Sequence, residues 1–158
     1  MKRLIATFAM VFSLALASIV IGPPASGSTV VRVVDGDTVK VTFYGRPLTL
    51  RLYCIDAPES KQPYGPEASA ALTQAVGSNV SVKVLRQDRY GRSVARVRVN
   101  RRDISLAMVK QGLAWEYKTL CKDPRFAAAE EVARAAKLGL WADDTAINPA
   151  EWRKGVRP

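Results

Sequence analysis

The sequence contains no histidine and only two cysteines among its 158 residues. Without histidine there is no imidazole for general acid–base catalysis, for a Ser-His catalytic pair or for a histidine-ligated zinc ion. Two cysteines are too few for the usual four-ligand structural zinc site. Any chemistry that this protein carries out must therefore depend on carboxylates, arginines, lysines and tyrosines.

Acidic residues are scarce beside basic ones. The chain has 14 aspartates and glutamates against 24 lysines and arginines, which gives a formal net charge of +10. A small domain with this balance has a positive field that attracts polyanions such as nucleic acids or acidic surfaces. Positive charge also serves solubility, so the charge suggests a class of partner without fixing a function.

Charges are missing from a long segment near the start of the chain. After Lys2 and Arg3, residues 4–21 are uncharged and mostly apolar, and the small and turn-forming residues GPPASGS follow. This layout predicts a secretory signal peptide over residues 1–27, cleaved near residue 17 or at 25–27, and hence an exported protein, secreted or periplasmic. The alternative is an uncleaved anchor, since the run is long enough to span a bilayer. No cysteine lies directly after the apolar run, which argues against a bacterial lipoprotein.

The two cysteines, Cys54 and Cys121, would enter an oxidising compartment if the chain is exported. Such a compartment favours a single disulfide between them. The alternative is two buried free thiols that pack as small apolar groups. The sequence leaves both possibilities open.

Hydrophobic patterns predict five strands and three helices. The stretch TVVRVVDGDTVKVTFYG predicts two strands, turning either at Asp35–Gly36 or at Tyr44–Gly45. PLTLRLYCI alternates as a third strand, with Leu48, Leu50, Leu52 and Cys54 expected on one face. The remaining predicted elements are a helix at 66–76, strands at 79–87 and 93–100, and helices at 103–112 and 123–139.

This order of elements is that of a mainly β, α+β domain. Five short strands with a helix between the third and the fourth are the arrangement of the OB-fold, a small barrel that often binds oligonucleotides. Other small α+β folds share much of this order and remain open. The expected domain covers residues 28–141, and residues 142–158 form a tail without a regular period.

Carboxylates and arginines stand at the predicted ends of the strands. Asp35 and Asp37 flank a glycine in VVDGDTVKV, Asp56 and Glu59 lie in CIDAPES, Arg51 precedes them on the third strand, and Arg92 ends the loop DRYGR. In a small barrel these ends meet at one rim. A group of carboxylates without histidine or cysteine is a donor set that suits Ca²⁺ or Mg²⁺, and arginines suit a phosphate. A glutamate that does not bind the metal can accept a proton from water. Taken singly, each has an ordinary interpretation as a turn, a cap or a surface charge.

The joint occurrence of these carboxylates and arginines, in their sequence context, is distinctive. Residues 29–141 contain, in order, five short motifs: VVDGDTVKV, LTLRLYCIDAPE, YGPEAS, DRYGRSVARV and VKQGLAW. With these motifs the chain resembles the staphylococcal nuclease-like (thermonuclease) family. The resemblance implies a five-stranded OB-fold barrel with three helices and a Ca²⁺-dependent nuclease that cleaves DNA and RNA. It implies no protein partner, so we expect a monomer, with a membrane contact only if the signal segment is uncleaved.

The resemblance also assigns roles to individual residues. The Asp37 and Asp56 carboxylates and the Ala57 backbone carbonyl correspond to the groups that hold Ca²⁺. Asp35 falls beside the metal without a direct bond to it. Glu59 corresponds to the general base that is proposed for the family.

Five further residues match positions that contact the substrate. Arg51 and Arg92 correspond to the two arginines that bind the target phosphate and stabilise its transition state. Arg89 and Tyr90 match positions near the phosphate of the bound nucleotide. Tyr117 corresponds to a tyrosine that stacks on the base.

The chain departs from the family pattern in three places. Ala57 stands where the best-known member has threonine, the loop between Glu59 and Tyr64 is shorter, and the spacing after QGLAW does not fix the register that assigns Tyr117. Residues 142–158 lie outside the resemblance, and no role is assigned to them. Two rival functions remain: a non-catalytic nucleic-acid-binding OB-fold module, and a basic exported protein that adheres to acidic polymers.

Overall fold

A computed structural model describes residues 28–158. The predicted signal peptide at residues 1–27 lies outside the described part of the chain. Among the described residues, no helix combines the length and the apolar character that a membrane crossing needs.

Eight strands and four α-helices, together with one short 3-10 helix, make up the described chain. In order they are β1 Ser28–Asp35, β2 Thr38–Phe43, β3 Arg46–Leu52, β4 Ile55–Asp56, α1 Gly65–Val76, β5 Asn79–Gln87, β6 Ser93–Val99, β7 Arg102–Asp103, α2 Ile104–Lys110, β8 Trp115–Glu116, α3 Pro124–Ala135, the 3-10 helix Gly139–Ala142 and α4 Pro149–Arg153.

Five of these strands close a barrel. They follow the order β3-β2-β1-β5-β6 with antiparallel neighbours, and a parallel pairing of β3 with β6 closes the ring. The alternating apolar residues of β2, β3 and β6 fill its interior, where Val39, Leu50, Leu52 and Val97 are almost fully buried. The predicted α+β, mainly β fold, a five-stranded OB-fold barrel, is confirmed.

Three helices lie where the sequence predicts them. Asp103 caps α2 by accepting a hydrogen bond from the backbone N–H of Leu106, and Asp123 caps α3 through the N–H of Arg125. A fourth helix, α4, lies in the tail for which no periodicity was found. Because α4 has only five residues, it is too short for a hydrophobic repeat to reveal it.

The third predicted strand ends earlier than its alternation indicates. Strand β3 ends at Leu52, and Cys54 adopts a left-handed conformation with φ of 69°, although its side chain is buried in the same core cluster as Leu50 and Leu52. Beyond this kink, β4 pairs with β8 instead of with the barrel. A disulfide joins Cys54 to Cys121, close to the start of α3, so one covalent bond fastens the strand that carries Asp56.

Removing this disulfide is expected to lower the free energy of unfolding by about 2–4 kcal/mol, because the bond closes a long loop in the unfolded chain. The bonded residues lie 67 positions apart. Urea unfolding of the double variant Cys54→Ala/Cys121→Ala, beside the oxidised wild type, measures the difference. Reductant should shift the wild-type midpoint and leave the variant unchanged. Equal midpoints for the two oxidised proteins would contradict the prediction.

Candidate active site

A cleft of about 810 Å³ opens at one rim of the barrel. Nearly all of the residues that the sequence singled out line it: Asp35, Asp37, Arg51, Ala57, Glu59, Arg89, Tyr90, Arg92 and Tyr117. The remaining one, Asp56, is buried next to the cleft and is bonded to two arginines that line it. Residues from five separate stretches of sequence therefore meet in one place.

The turn between β1 and β2 positions Asp37. The backbone N–H of Asp37 donates to Asp35 Oδ1 at 3.0 Å, so the Asp35 side chain closes the turn on itself. Gly36 allows a close approach, since a Cβ here would lie 2.6 Å from Ala57 Cβ and 2.8 Å from Ala68 Cβ. As a result, Asp37 Oδ2 reaches the backbone N–H of Ala57 at 2.8 Å.

Arg51 connects the two aspartates that the family pattern assigns to the metal. Its Nη1 lies 2.5 Å from Asp37 Oδ2 and its Nη2 lies 2.8 Å from Asp56 Oδ1. All three side chains are largely buried. One guanidinium thus lies against two carboxylates, through a hydrogen bond to Asp56 and an ion pair with Asp37, a span that the single ammonium group of lysine does not offer.

Burial has the largest influence on the pKa of Asp37. Burial raises the pKa of Asp37 to about 7 even though the Arg51 guanidinium lowers it, and the Asp35 and Asp56 carboxylates raise it further. Asp37 and Asp56 share Arg51, and Asp56 is also paired with Arg153; the carboxylate oxygens of the two aspartates form a hard oxygen donor set. This chemistry fits Ca²⁺ or Mg²⁺.

Within residues 28–158, no group of three or more acidic, histidine or cysteine side chains is gathered for a metal ion. The expected ligand set contains only two carboxylates and one backbone carbonyl, so it does not require such a group. At Ala57 the structure shows a hydrogen bond from the backbone N–H to Asp37 Oδ2.

Glu59 lies on the loop after β4, and a second arginine binds it. Arg153 Nη1 is 2.6 Å from Glu59 Oε1, and Arg153 Nη2 is 2.8 Å from Asp56 Oδ2. The loop itself is held by Gln62, whose Oε1 accepts from the backbone N–H of Glu59 at 3.1 Å. The hydrogen bonds that Arg153 donates to Asp56 raise its pKa above the ordinary value; burial opposes this rise and the hydrogen bond donated to Glu59 adds to it, so Arg153 stays charged.

Arg92 stands on another wall of the cleft. Its Nε donates to Asp88 Oδ2 at 2.7 Å, and Asp88 also accepts from the backbone N–H of Tyr90. Burial raises the pKa of Asp88, but the hydrogen bonds from Arg92 outweigh it and hold this pKa below its ordinary value. Two guanidinium groups lie near the Tyr90 ring, that of Arg89 at 4.8 Å and that of Arg92 at 5.4 Å from its centroid.

Tyr117 lies on the cleft wall just after β8, with about a third of its surface exposed. Its backbone N–H donates to the Cys54 carbonyl at 2.8 Å, which extends the pairing of β4 with β8. The ring is therefore presented to the cleft by the same two-stranded sheet that carries Asp56.

Known proteins share this sequence pattern. A family profile described as "Staphylococcal nuclease homologue" matches residues 49–143. The chain belongs to the staphylococcal nuclease family. It is 41% identical over 127 residues to a protein of Haemophilus influenzae named as an uncharacterized endonuclease, covering 79% of this chain and 71% of the relative. It is 39% identical over 155 residues to protein ParB of Escherichia coli, covering 89% of this chain and 88% of that protein.

A plant relative, the staphylococcal-like nuclease CAN1 of Arabidopsis thaliana, is 43% identical over 109 residues. The match covers 68% of this chain but only 34% of CAN1, so CAN1 contains long stretches without a counterpart here.

The family motifs did not point to two residues that hold the Glu59 loop. Arg153 and Gln62 both contact the Glu59 loop, and Arg153 belongs to the tail to which the sequence analysis assigned no role. One signal was available: Asn148 followed by Pro149 is a helix start, and Asn148 Oδ1 does accept from the backbone N–H of Ala150. That signal predicts a helix but not its contact with Glu59.

Proposed function

We propose that this chain is an exported, Ca²⁺-dependent nuclease that hydrolyses phosphodiester bonds in DNA and RNA and acts as a monomer. The observation that carries the proposal is the pairing of one guanidinium, that of Arg51, with the carboxylates of Asp37 and Asp56 at the wall of a cleft that also contains Glu59 and Arg92. Family membership and the relatives named as endonucleases support the same class of reaction.

The arginines of the cleft suit a nucleic-acid backbone. Arg51 and Arg92 are permanently charged and lie in the same cleft, where they can pair with the oxygens of one phosphate and stabilise the charge that builds up on them during attack. Arg89 and Tyr90 extend this wall, so a neighbouring phosphate or sugar has partners as well. The net charge of +10 draws the polyanion toward the cleft.

Glu59 is the group that accepts a proton. Its carboxylate stands in the cleft with about a third of its surface exposed, so a water molecule can reach it. Asp37, Asp56 and the Ala57 carbonyl are the groups that would hold Ca²⁺. When bound there, Ca²⁺ supplies positive charge to a phosphate oxygen.

The proposal of export rests on the segment before the barrel, where the charged start, the apolar run and the small residues after it follow the signal-peptide layout. A Ca²⁺ requirement suits such a location, because extracellular modules commonly bind Ca²⁺ at about 10⁻⁴–10⁻³ M.

Digestion of plasmid DNA and of RNA tests the proposal directly. We expect the purified protein to cleave both in Ca²⁺, to stop when a chelator is in excess, and to resume when Ca²⁺ is restored. Cleavage that persists in excess chelator would rule out the metal requirement. Salt-sensitive binding of DNA without cleavage under any metal condition would identify the chain as a binding module instead.

A further inference from the structure

The end of the chain reaches into the cleft. Arg153, the last residue of α4, binds both oxygens of Asp56, with Nη2 at 2.8 Å from Oδ2 and Nη1 at 3.3 Å from Oδ1. The same Nη1 lies 2.6 Å from Glu59 Oε1. Because two nitrogens of the guanidinium contact the two oxygens of Asp56, the position of Nη1 is fixed relative to β4. Glu59 Oε1 binds to Nη1 at this position.

The tail that carries Arg153 is packed against the domain. The buried side chain of Gln62 donates from Nε2 to the Ile147 carbonyl at 2.6 Å. Pro149, the first residue of α4, is also buried. Gln62 therefore ties together the two segments that meet in the ion pair, since its Oε1 binds the loop of Glu59 and its Nε2 binds the chain just before α4.

A second anchor lies further back. Trp141, in the 3-10 helix, packs edge-on against Trp115 with ring centroids 5.0 Å apart, and Trp115 pairs with Asp56 across the β4–β8 sheet. The backbone N–H of Leu140 also donates to the Gly112 carbonyl at 2.9 Å. The tail is thus held at two places before it reaches the cleft. These anchors favour a persistent contact of Arg153 with the carboxylates over a transient one.

We propose that Arg153 is a positioning residue that orients the Glu59 carboxylate for its role in the reaction. The inference rests on the proposed nuclease function, because Arg153 has a positioning role only if Glu59 accepts a proton in the reaction. Glu59 lies on a loop with a partly exposed side chain that has several accessible rotamers. Arg153 binds one of its oxygens, Oε1, and so selects the rotamer in which Oε2 can accept the proton of an attacking water.

Steady-state kinetics on three variants test this role. Arg153→Met keeps most of the side-chain length but removes the charge and the hydrogen bonds, and Arg153→Lys keeps the charge without the fork. Arg157→Met is the matched control, because Arg157 lies in the same tail, stacks on Trp152 and donates to the Trp152 and Val156 carbonyls instead of to the carboxylates. Melting temperatures and Ca²⁺ affinities from calorimetry accompany the kinetics.

We expect Arg153→Met to lower kcat by about 10–100-fold with little change in KM, the size typical of residues that orient an active-site group from behind. Arg153→Lys should regain part of this loss, and Arg157→Met should behave as the wild type. In a Glu59→Gln background, Arg153→Met should have no further effect on kcat, since the group that it orients is gone.

Three results would overturn the inference. The first is an unchanged kcat in Arg153→Met. The second is a loss of activity that merely follows a fall in the melting temperature and that Lys does not restore. The third is higher activity together with tighter Ca²⁺ binding, because Arg153 would then be a competitor for Asp56. A wild type that cleaves nothing would instead refute the proposed function.

Discussion

Replacing Glu59 by glutamine is expected to lower kcat by about 10²–10⁴-fold, the range over which a general base acts. The amide has nearly the same shape as the carboxylate and can still accept a hydrogen bond from Arg153 Nη1, which lies 2.6 Å from Oε1 in the wild type. It cannot accept the proton of an attacking water at neutral pH. The variant therefore removes the basic function while keeping the local geometry.

Stability should change little in this variant. The Glu59 side chain is partly exposed, and exposed ion pairs contribute about 0–1 kcal/mol. Single-turnover cleavage of a defined oligonucleotide measures the chemical step, and urea unfolding measures stability. Glu67→Gln is a matched control, because Glu67 lies exposed in the first turn of α1 outside the cleft. Wild-type cleavage by Glu59→Gln would show that Glu59 is not the base.

Replacing Arg51 by alanine is expected to cost both rate and stability. Removing a guanidinium that stabilises transition-state charge lowers kcat by about 10²–10³-fold. The same change leaves Asp37 buried without the guanidinium that lies 2.5 Å from it, whereas Asp56 keeps its ion pair with Arg153. Breaking a buried ion pair in this way typically costs about 3–5 kcal/mol of folding free energy.

The loss of stability should depend on pH. Burial raises the pKa of Asp37 to about 7 while Arg51 opposes the rise, so without Arg51 this pKa lies higher still. An acid whose pKa is raised by folding lowers stability as the pH rises from its unfolded-state pKa to its folded-state pKa, and no further above that. For Asp37 this fall ends near pH 7 in the wild type and continues to higher pH without Arg51. Arg51→Ala should therefore be more destabilised, relative to the wild type, at pH 8 than at pH 5.

Urea unfolding at pH 5 and pH 8, with kinetics at pH 8 under folding conditions, separates the two effects. Arg51→Lys should recover part of the stability, because it restores one charge, but less of the rate, because it cannot bridge two oxygens. Arg96→Ala is the control, since Arg96 also bridges two carboxylates, those of Asp103 and Asp123, but lies outside the cleft. It should lose stability and keep kcat. A destabilised Arg51→Ala with wild-type kcat would remove Arg51 from the catalytic machinery.

Local sequence determined most of the elements. Alternating apolar residues define β2, β3 and β6, and the cap residues Asp103 and Asp123 begin α2 and α3, because side-chain period and capping are properties of a few consecutive residues. The absence of histidine and the surplus of arginine determined which chemistry is open to the chain. The five family motifs contain most of the predicted residues that line the cleft, though not Tyr117, and they do not contain Arg153.

Tertiary structure decided how these residues meet. Asp37 reaches Ala57 only because Gly36 packs against two alanines, and Asp56 reaches Arg51 only because the chain turns at Cys54 and pairs with β8. Arg153 lies 97 residues beyond Asp56. No periodicity, cap or turn connects positions so far apart, since their contact depends on how the tail packs on the completed barrel. The sequence therefore determined which residue types are available for chemistry, and the fold decided that Arg153 stands beside Glu59.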